Sequence, residues 1–354
     1  MNLFKSLFIF TLFCFYLLPY DSIAQDANKR KKVFLMEIKS DIDPRMNRYV
    51  ELALREATDK EVDYVVIEMD TYGGALNDAD NIRTMILNYP VPVYVFINKD
   101  AASAGALISI ACDSIYMAPG ASIGAATVVT GGSGEAAPDK YQSYMRSIMR
   151  STAEAQGRNP RIAEAMVDER IEIDSISSAG SVITFSTSEA ITYGFCEAQV
   201  RDIDEIMARS RVQDYELVRY NVSITEKIIS LFLNPAISSV LILIIIGGLY
   251  FELQTPGVGF PILASIVAMI LYFIPYYLTG LAENWEILIF FIGVALIALE
   301  IFVIPGFGIA GIAGLVLTVG SLILVMLDNK AFDFSFVNPD EIIIASAATL
   351  LGLF

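Results

Sequence analysis

Between Val33 and Val222, short apolar runs alternate with amphipathic stretches at the spacing of βα units. The apolar runs predict strands at Val33–Ile38, Val62–Met69, Val91–Ile97 and Ser114–Met117, with a further strand around Glu197–Val200. The stretches between them predict helices at Leu76–Leu87, Ser103–Ala111 and Tyr141–Gln156, with a short helix capped by Ser188 and ending near Tyr193. We also expect a helix that begins at Pro44 and is capped by Asp43. The alternation predicts an α/β core with largely parallel strands.

Residues 124–139, GAATVVTGGSGEAAPD, interrupt this alternation. Gly, Ala and Pro dominate the segment, and we expect none of it to pack in the core. It is either a flexible surface loop or a lid over an active site. Its position directly before Lys140 favours the lid.

The apolar pattern changes after residue 222. Ile224–Leu233 reads as part of an interfacial linker over residues 223–236, and residues 237–354 read as an all-α transmembrane domain. The chain has no Lys or Arg between Lys227 and Lys330. We expect four spans, at Ile237–Phe251, Phe260–Leu278, Ile287–Ile304 and Ile309–Leu327. Ile342–Phe354 is too short to cross, so we expect a truncated fifth span and a longer natural chain.

A weak repeat marks the membrane block. Glu252 precedes Pro-Gly-Val-Gly at residues 256–259, and Glu300 precedes Pro-Gly-Phe-Gly at residues 305–308. Each Pro–Gly pair is expected to end one helix and begin the next. The two glutamates are interfacial carboxylates or members of a proton or ion path, and the first interpretation is favoured.

The N-terminus resembles a secretory signal over residues 1–24. Lys5 precedes the uncharged apolar run Leu7–Leu18, and Ser22-Ile23-Ala24 predicts cleavage before Gln25. An uncleaved anchor helix is the alternative. Both interpretations place residues 25–222 outside the cytoplasm, in the periplasm if an outer membrane is present. The predicted orientation in the membrane depends on this segment alone, because the loops between the four spans have no Lys or Arg to which the positive-inside rule could be applied.

Composition excludes several kinds of chemistry. The chain has no histidine, which rules out a Ser–His–Asp triad, a Cys–His dyad and a histidine-ligated metal. We therefore expect no metal and no cofactor. The formal charge of −16 argues against nucleic acid as a partner. Cys112 and Cys196 lie in apolar contexts and are interpreted as buried thiols, although a disulfide between them is possible.

Three segments carry candidate chemistry. Asp70-Thr71-Tyr72-Gly73-Gly74 follows a strand, and its paired glycines can turn the backbone and expose amide groups, as an oxyanion hole requires. Ala101-Ala102-Ser103-Ala104-Gly105 places a serine at a helix N-terminus, where the helix dipole favours developing negative charge. Taken alone, this fragment favours a helix-capping serine over a nucleophile.

The third segment, Pro138-Asp139-Lys140, begins a long helix. A lysine that acts as general base must be neutral, and burial under a lid near the positive end of a helix dipole favours that state. A solvated lysine at a helix start is the structural alternative. Asp168 is a possible partner that would orient Lys140.

Together, the order strand–YGG, strand–ASAGA, glycine-rich loop–PDK resembles the protease domain of the long NfeD-type membrane proteases. That family has the ClpP/crotonase fold and is related to signal peptide peptidase A. The resemblance covers about residues 33–220, and the two Pro-Gly-x-Gly turns resemble the NfeD membrane region. It implies Ser103 as nucleophile, Lys140 as general base, and the amides of Gly74 and Ala104 as oxyanion hole. Family members usually end in an OB-fold domain, which we expect to be missing here because the sequence is truncated.

The resemblance implies a membrane-anchored serine endopeptidase that cuts protein substrates near apolar residues. The implied substrate or partner is a stomatin/SPFH-type membrane protein, and we expect a homo-oligomer. One alternative is a non-catalytic scaffold that binds SPFH proteins. A second is acyl-CoA chemistry on the crotonase fold, which the secretion signal disfavours because CoA thioesters are cytoplasmic.

Overall fold

The computed structural model describes residues 30–353 apart from 131–133, 175, 178–179, 256, 258, 304–307, 328–336 and 338. The expected signal at residues 1–24 and the centre of the expected lid at 131–133 lie outside the described residues. The described chain forms an α/β domain followed by a bundle of apolar helices. This order confirms the predicted fold class.

A single sheet organises the α/β domain. Its strands are β1 Lys31–Ile38, β2 Tyr64–Thr71, β3 Val93–Ala102, β4 Ser114–Met117, β5 Ser122–Gly124, β6 Thr184–Ser186, β7 Ala198–Gln199 and β8 Tyr215–Arg219. Along the sheet the order is β6-β5-β3-β2-β1-β8, while β4 pairs with β3 and β7. The pairs are parallel except for β5 with β6. The predicted parallel core is therefore confirmed.

Helices cover the sheet at the predicted spacing. In chain order they are α1 Pro44–Asp59, α2 Leu76–Leu87, α3 Ala104–Ala111, α4 Asp139–Ala155, α5 Pro160–Ala165, α6 Thr187–Thr192 and α7 Ile203–Arg209. Asp43 caps α1 as predicted, since its carboxylate accepts the N–H of Met46. The cap of α6 was predicted at Ser188 but lies at Ser186, because the Glu189 carboxylate accepts the Ser186 N–H at 2.9 Å.

The core of the α/β domain is a continuous apolar cluster between sheet and helices. Its central strands are buried on both faces, which explains why the strands read as apolar runs. Cys112 and Cys196 are buried free thiols, as interpreted from the sequence. Burial raises the pKa of the Cys112 thiol well above its usual range and that of Cys196 to about 12. Neither thiol is therefore a nucleophile at neutral pH.

The second part of the chain is helical. Its helices are α8 Ile224–Phe232, α9 Pro235–Gln254, α10 Phe260–Leu278, α11 Asn284–Phe302, α12 Ile309–Leu324 and α13 Pro339–Leu353. Among the described residues, α9, α10 and α11 are long and apolar enough to cross a membrane, and α12 and α13 are shorter apolar helices. Helix α8 exposes Ile224, Ile228 and Leu231, which suits a position at the membrane surface.

The repeated glutamates bind backbone amides. The Glu252 carboxylate accepts the N–H groups of Gly257 and Gly259, both at 3.1 Å. The Glu300 carboxylate accepts the N–H of Gly308 and, at 3.3 Å, that of Gly311. Each carboxylate thus binds N–H groups at the start of the following helix, which have no partner within the helix. The amides bound by Glu300 are the less exposed pair, and an unpaired donor is costly there. These contacts favour a structural role over a proton path.

We expect Glu300→Ala to lower the thermal midpoint of the detergent-solubilised protein. The change leaves two amides without an acceptor, at a cost of roughly 1–3 kcal/mol each. Glu300→Gln keeps one acceptor oxygen, so its thermal midpoint should fall by less than that of Glu300→Ala. Glu252→Ala is the matched control. Its thermal midpoint should fall by less than that of Glu300→Ala, because Glu252 is half-buried and water can take its place as hydrogen-bond acceptor. An unchanged midpoint for Glu300→Ala would contradict the capping role.

Candidate active site

The carboxyl ends of three neighbouring parallel strands meet at one point of the sheet. The segment after β1 is tied to the segment after β2, because Ile42 N–H donates to Gly73 O at 2.8 Å and Ala75 N–H donates to Ile42 O at 2.6 Å. Thr71 joins the same region, since its hydroxyl donates to Ser40 O at 2.7 Å. Parallel sheets commonly place their sites at this edge.

The loop Tyr72–Gly74 lies so close to Ser103 and Ile42 that no side chain fits at position 73 or 74. Gly73 has φ +117°, and a Cβ there would lie 2.7 Å from Ser103 Cβ and 3.1 Å from Ser103 Oγ. Gly74 has φ +148°, and a Cβ there would overlap the backbone of Ile42. Both glycines are therefore required by contact as well as by backbone conformation.

Ser103 occupies the turn between β3 and α3. Its backbone has φ +54° and ψ −115°, a conformation that residues other than glycine rarely adopt. Its N–H donates to Gly124 O at 2.9 Å, which ties the turn to the end of strand β5. The Ser103 side chain makes no capping hydrogen bond to the helix that follows. The capping alternative is therefore not supported, and Ser103 resembles a serine held on a strained strand-to-helix turn.

Ser103 lines a cavity of about 720 Å³ together with Gly74 and Ala104, so the structure brings three of the four predicted site residues together. Ala104 is the first residue of α3, where the positive end of the helix dipole lies. Gly105 packs against β2, because a Cβ there would lie 2.7 Å from Thr71 Cγ2. Small residues at 73, 74 and 105 thus let two strand ends and one helix start share this space.

Lys140 lies in the first turn of α4 with an exposed side chain. Its Nζ is 4.4 Å from the centre of the Tyr141 ring. It is not among the described residues that line the Ser103 cavity. The expected burial of Lys140 is therefore not seen in the described part of the chain.

The segment from the cavity to Lys140 is partly packed, contrary to the expectation that none of it lies in the core. Ala126, Val128 and Ala137 are buried. Gln142 on α4 binds both backbone groups of Val128, accepting its N–H at 3.1 Å and donating to its carbonyl at 2.6 Å. Because Val128 lines the cavity, Gln142 connects the cavity wall to the helix that carries Lys140.

Asp168, interpreted as a possible partner of Lys140, is bound by two arginines. Arg170 donates two hydrogen bonds to it at 2.8 and 2.7 Å, and Arg146 donates one at 3.0 Å. The hydrogen bonds from Arg170, above all, lower the pKa of Asp168 to about 2. The carboxylate is therefore charged at neutral pH and belongs to an arginine cluster beside α4.

A second lysine approaches the cavity from another side. Lys99 Nζ lies 3.4 Å from the hydroxyl of Tyr72, a cavity-lining residue, and 5.6 Å from the centre of its ring. The hydrogen bond with Tyr72 raises the pKa of Lys99. A lysine held in its charged form is a poor general base.

From the sequence, Gly73 was recognised only as one of the paired glycines, and Thr71 and Gly124 had no assigned role. Gly73 makes room for Ser103, the Thr71 hydroxyl accepts the Gly73 N–H at 3.2 Å, and Gly124 O accepts the Ser103 N–H. The adjacent glycines of the YGG motif were the available signal for Gly73. Among the described residues, no group of three Asp, Glu or Cys side chains is arranged to hold a metal ion.

Comparisons with known proteins cover nearly all of the described chain. The model of the NfeD1b N-terminal domain matches residues 32–220, and that of the NfeD integral membrane domain matches residues 236–354. Membrane protein NfeD1b of Bacillus subtilis is 33% identical over 297 residues, which cover 84% of this chain and 67% of that protein. Membrane-bound protease PH1510 of Pyrococcus horikoshii is 28% identical over 325 residues, covering 82% of this chain and 68% of the relative.

Solved structures match the α/β domain. The 1510-N membrane protease specific for a stomatin homolog, from Pyrococcus horikoshii, is 25% identical with a TM-score of 0.45, covering 58% of this chain and 100% of that one. ClpP1 from Listeria monocytogenes is 20% identical with a TM-score of 0.39, covering 49% and 94%. The family assignment rests on the sequence matches. This chain belongs to the NfeD family of membrane proteins, with an NfeD1b N-terminal domain followed by an NfeD integral membrane domain.

Proposed function

We propose that this protein is a membrane-anchored serine endopeptidase in which Ser103 is the nucleophile and Lys140 is the general base. The observation that carries the proposal is the Ser103 turn: the residue has φ +54°, its side chain does not cap α3, and it lines a cavity with Gly74 and Ala104. Strain of this kind persists where the surrounding fold enforces it, and it is concentrated at active sites. The Pyrococcus relative is itself a membrane-bound protease.

In this mechanism Ser103 Oγ attacks a peptide carbonyl, and the neutral amine of Lys140 takes the hydroxyl proton and returns it to the leaving amine. Water then hydrolyses the acyl-enzyme by the same proton route. The N–H groups of Gly74 and Ala104 donate to the oxyanion. Lys140 must reach Ser103 in the substrate complex, since catalytic hydrogen bonds often tighten only when substrate binds. The contact between Gln142 and Val128 keeps the start of α4 beside the cavity.

The proposed substrate is a membrane-associated protein of the stomatin/SPFH type, cut next to apolar residues. The family resemblance of the sequence supports this type of substrate. The apolar part of the cavity lining, which includes Val128, Val129 and Met145, supports cleavage next to apolar residues. We also propose a homo-oligomer and a chain that needs no cofactor.

A second candidate is a non-catalytic scaffold that binds SPFH-type proteins through the same domain. The exposed Lys140, which is not among the described residues lining the cavity, favours this function. Labelling the detergent-solubilised protein with a fluorophosphonate probe separates the two. A reactive Ser103 is labelled, whereas a scaffold serine is not.

We expect Lys140→Ala to lower the rate of peptide cleavage by about 10²–10⁴-fold, which is the usual contribution of a general base. Lys140→Arg should be inactive at every working pH because a guanidinium stays protonated, and wild-type activity should rise with pH as neutral lysine accumulates. Lys99→Ala is the matched control and should retain activity. Cleavage is measured on a library of unstructured peptides. A Lys140→Ala variant with more than about a tenth of the wild-type rate would exclude this base.

Ser103→Ala and Ser103→Gly should both abolish cleavage, but they should differ in stability. Glycine adopts φ +54° readily, whereas alanine keeps the strain of the turn. Ser103→Gly should therefore be more stable than Ser103→Ala by about 1 kcal/mol or more. Thermal midpoints of the two full-length variants measure the difference. Equal midpoints would show that the turn stores no strain.

We propose that the α/β domain lies outside the cytoplasm, in the periplasm where an outer membrane is present. The signal-like residues 1–24 support this orientation. Alkaline phosphatase fused after Val222 should be active, and a cytoplasmic reporter at the same site should be silent. The opposite pattern would place the domain, and with it the substrates, on the cytoplasmic side.

A further inference from the structure

The cavity that contains Ser103 extends beyond the α/β domain. Part of its wall comes from the membrane domain, through Leu233, Pro235, Tyr276, Leu281, Met326 and Ile344. These residues lie at the start of α9, the end of α10, the end of α12 and the first turns of α13, or directly beside them. All of these helix ends belong to the same face of the bundle, the face turned toward the α/β domain.

Specific contacts hold this face against the α/β domain. Arg48 on α1 donates to both carboxylate oxygens of Glu226, at 3.1 and 2.8 Å, and to the carbonyl of Leu278 at 3.0 Å. One guanidinium therefore joins α1 to α8 and to the end of α10. At the next turn, a Cβ on Gly280 would lie 3.8 Å from Pro44 Cβ, which shows how closely the two parts approach. The membrane wall is thus fixed by the fold.

Both walls contain apolar residues, but most of the charged residues lie on one of them. The α/β side contributes the charged residues Asp41, Asp43 and Arg45 beside the glycine loop. Apart from Glu341, the membrane side is apolar or aromatic. Ile344 lines the cavity and is 49% exposed. A volume of about 720 Å³ is in the range of sites that enclose a drug-sized ligand, so it holds several residues of an extended peptide.

We propose that the membrane domain forms an apolar subsite of the peptide cleft, in which Leu281, Met326 and Ile344 contact an apolar side chain a few residues away from the scissile bond. This inference rests on the proposed protease function and assigns part of its substrate selection to the membrane domain. A peptide with an apolar residue at this position, a few residues from the scissile bond, contacts Leu281, Met326 and Ile344. A peptide with a polar residue there does not make these apolar contacts. Selection occurs at the membrane surface, where apolar segments of membrane-associated proteins emerge.

The test uses two neighbouring isoleucines on α13. Ile344 lines the cavity, whereas Ile343 is exposed and is not among the described lining residues. Full-length wild type, Ile344→Ala and Ile343→Ala are reconstituted in nanodiscs and given a library of ten-residue peptides, with cleavage sites read by mass spectrometry. For the best-cleaved peptide, each residue at least three positions from the cut is replaced in turn by serine.

Ile344→Ala should raise KM for the apolar peptide about tenfold with little change in kcat, because an apolar pocket contact contributes mainly uniform binding. The effect should disappear for one serine-replaced peptide, and Ile343→Ala should match wild type with every peptide. Leu281→Ala should repeat the Ile344→Ala result. Equal effects of Ile344→Ala and Ile343→Ala, or the same loss for apolar and serine-replaced peptides, would overturn the subsite.

A binding measurement separates this inference from the protease function. The whole peptide library, fluorescently labelled, is titrated into full-length Ser103→Ala with and without Ile344→Ala, so that Kd is obtained without turnover, and each residue of the tightest-binding peptide is then replaced in turn by serine. A tenfold weaker Kd that depends on the apolar residue supports the subsite even if wild type cleaves nothing and is not labelled by a fluorophosphonate. Efficient cleavage by wild type with an unchanged Kd overturns the subsite and leaves the protease function standing.

Discussion

The contact between the Tyr72–Gly74 loop and Ser103 is the constraint on which the site depends. A side chain on Gly73 would overlap Ser103, and a side chain on Gly74 would overlap Ile42, so two glycines bring three strand ends within one cavity. In this arrangement the Ser103 backbone has φ +54°, and the hydrogen bond from its N–H to Gly124 O holds it there. The strain is sustained by the parallel strands around it, because the buried sheet cannot relax without losing its packing.

A second constraint connects this site to the membrane. Arg48 fixes α1 to α8 and to the end of α10, and residues of both parts line the cavity. At the opposite ends of the spanning helices, Glu252 and Glu300 bind the amides that begin the following helices. Both glutamates of the repeat thus provide acceptors for backbone N–H groups at the start of the helix that follows. The bundle is capped at one end and contributes a cavity wall at the other.

The position of Lys140 separates the two candidate functions. It lies at the start of α4, exposed, beside an arginine–carboxylate cluster that includes Asp139, Arg146 and Asp168. A protease needs this lysine to lose its proton near Ser103, whereas a scaffold makes no such demand. The clamp between Gln142 and Val128 keeps the helix start next to the cavity wall. For the proposed protease, substrate binding would have to bring Lys140 to Ser103.

The sequence alone determined the elements whose signals are local. Leu76–Leu87 and Ser114–Met117 were predicted to the residue, and the Asp43 cap, the buried thiols and the apolar helices followed from periodicity and composition. Only the tertiary structure decided the contacts between distant residues. Ser103 could not be separated from a capping serine by its sequence, because its backbone conformation is held by Gly124 at the end of β5 and by Gly73 in the loop after β2. The membrane wall of the cavity likewise depends on packing, which a linear pattern of polar and apolar residues does not encode. The cap at Ser186, by contrast, is a local capping box with Glu189 whose residues the sequence already contained.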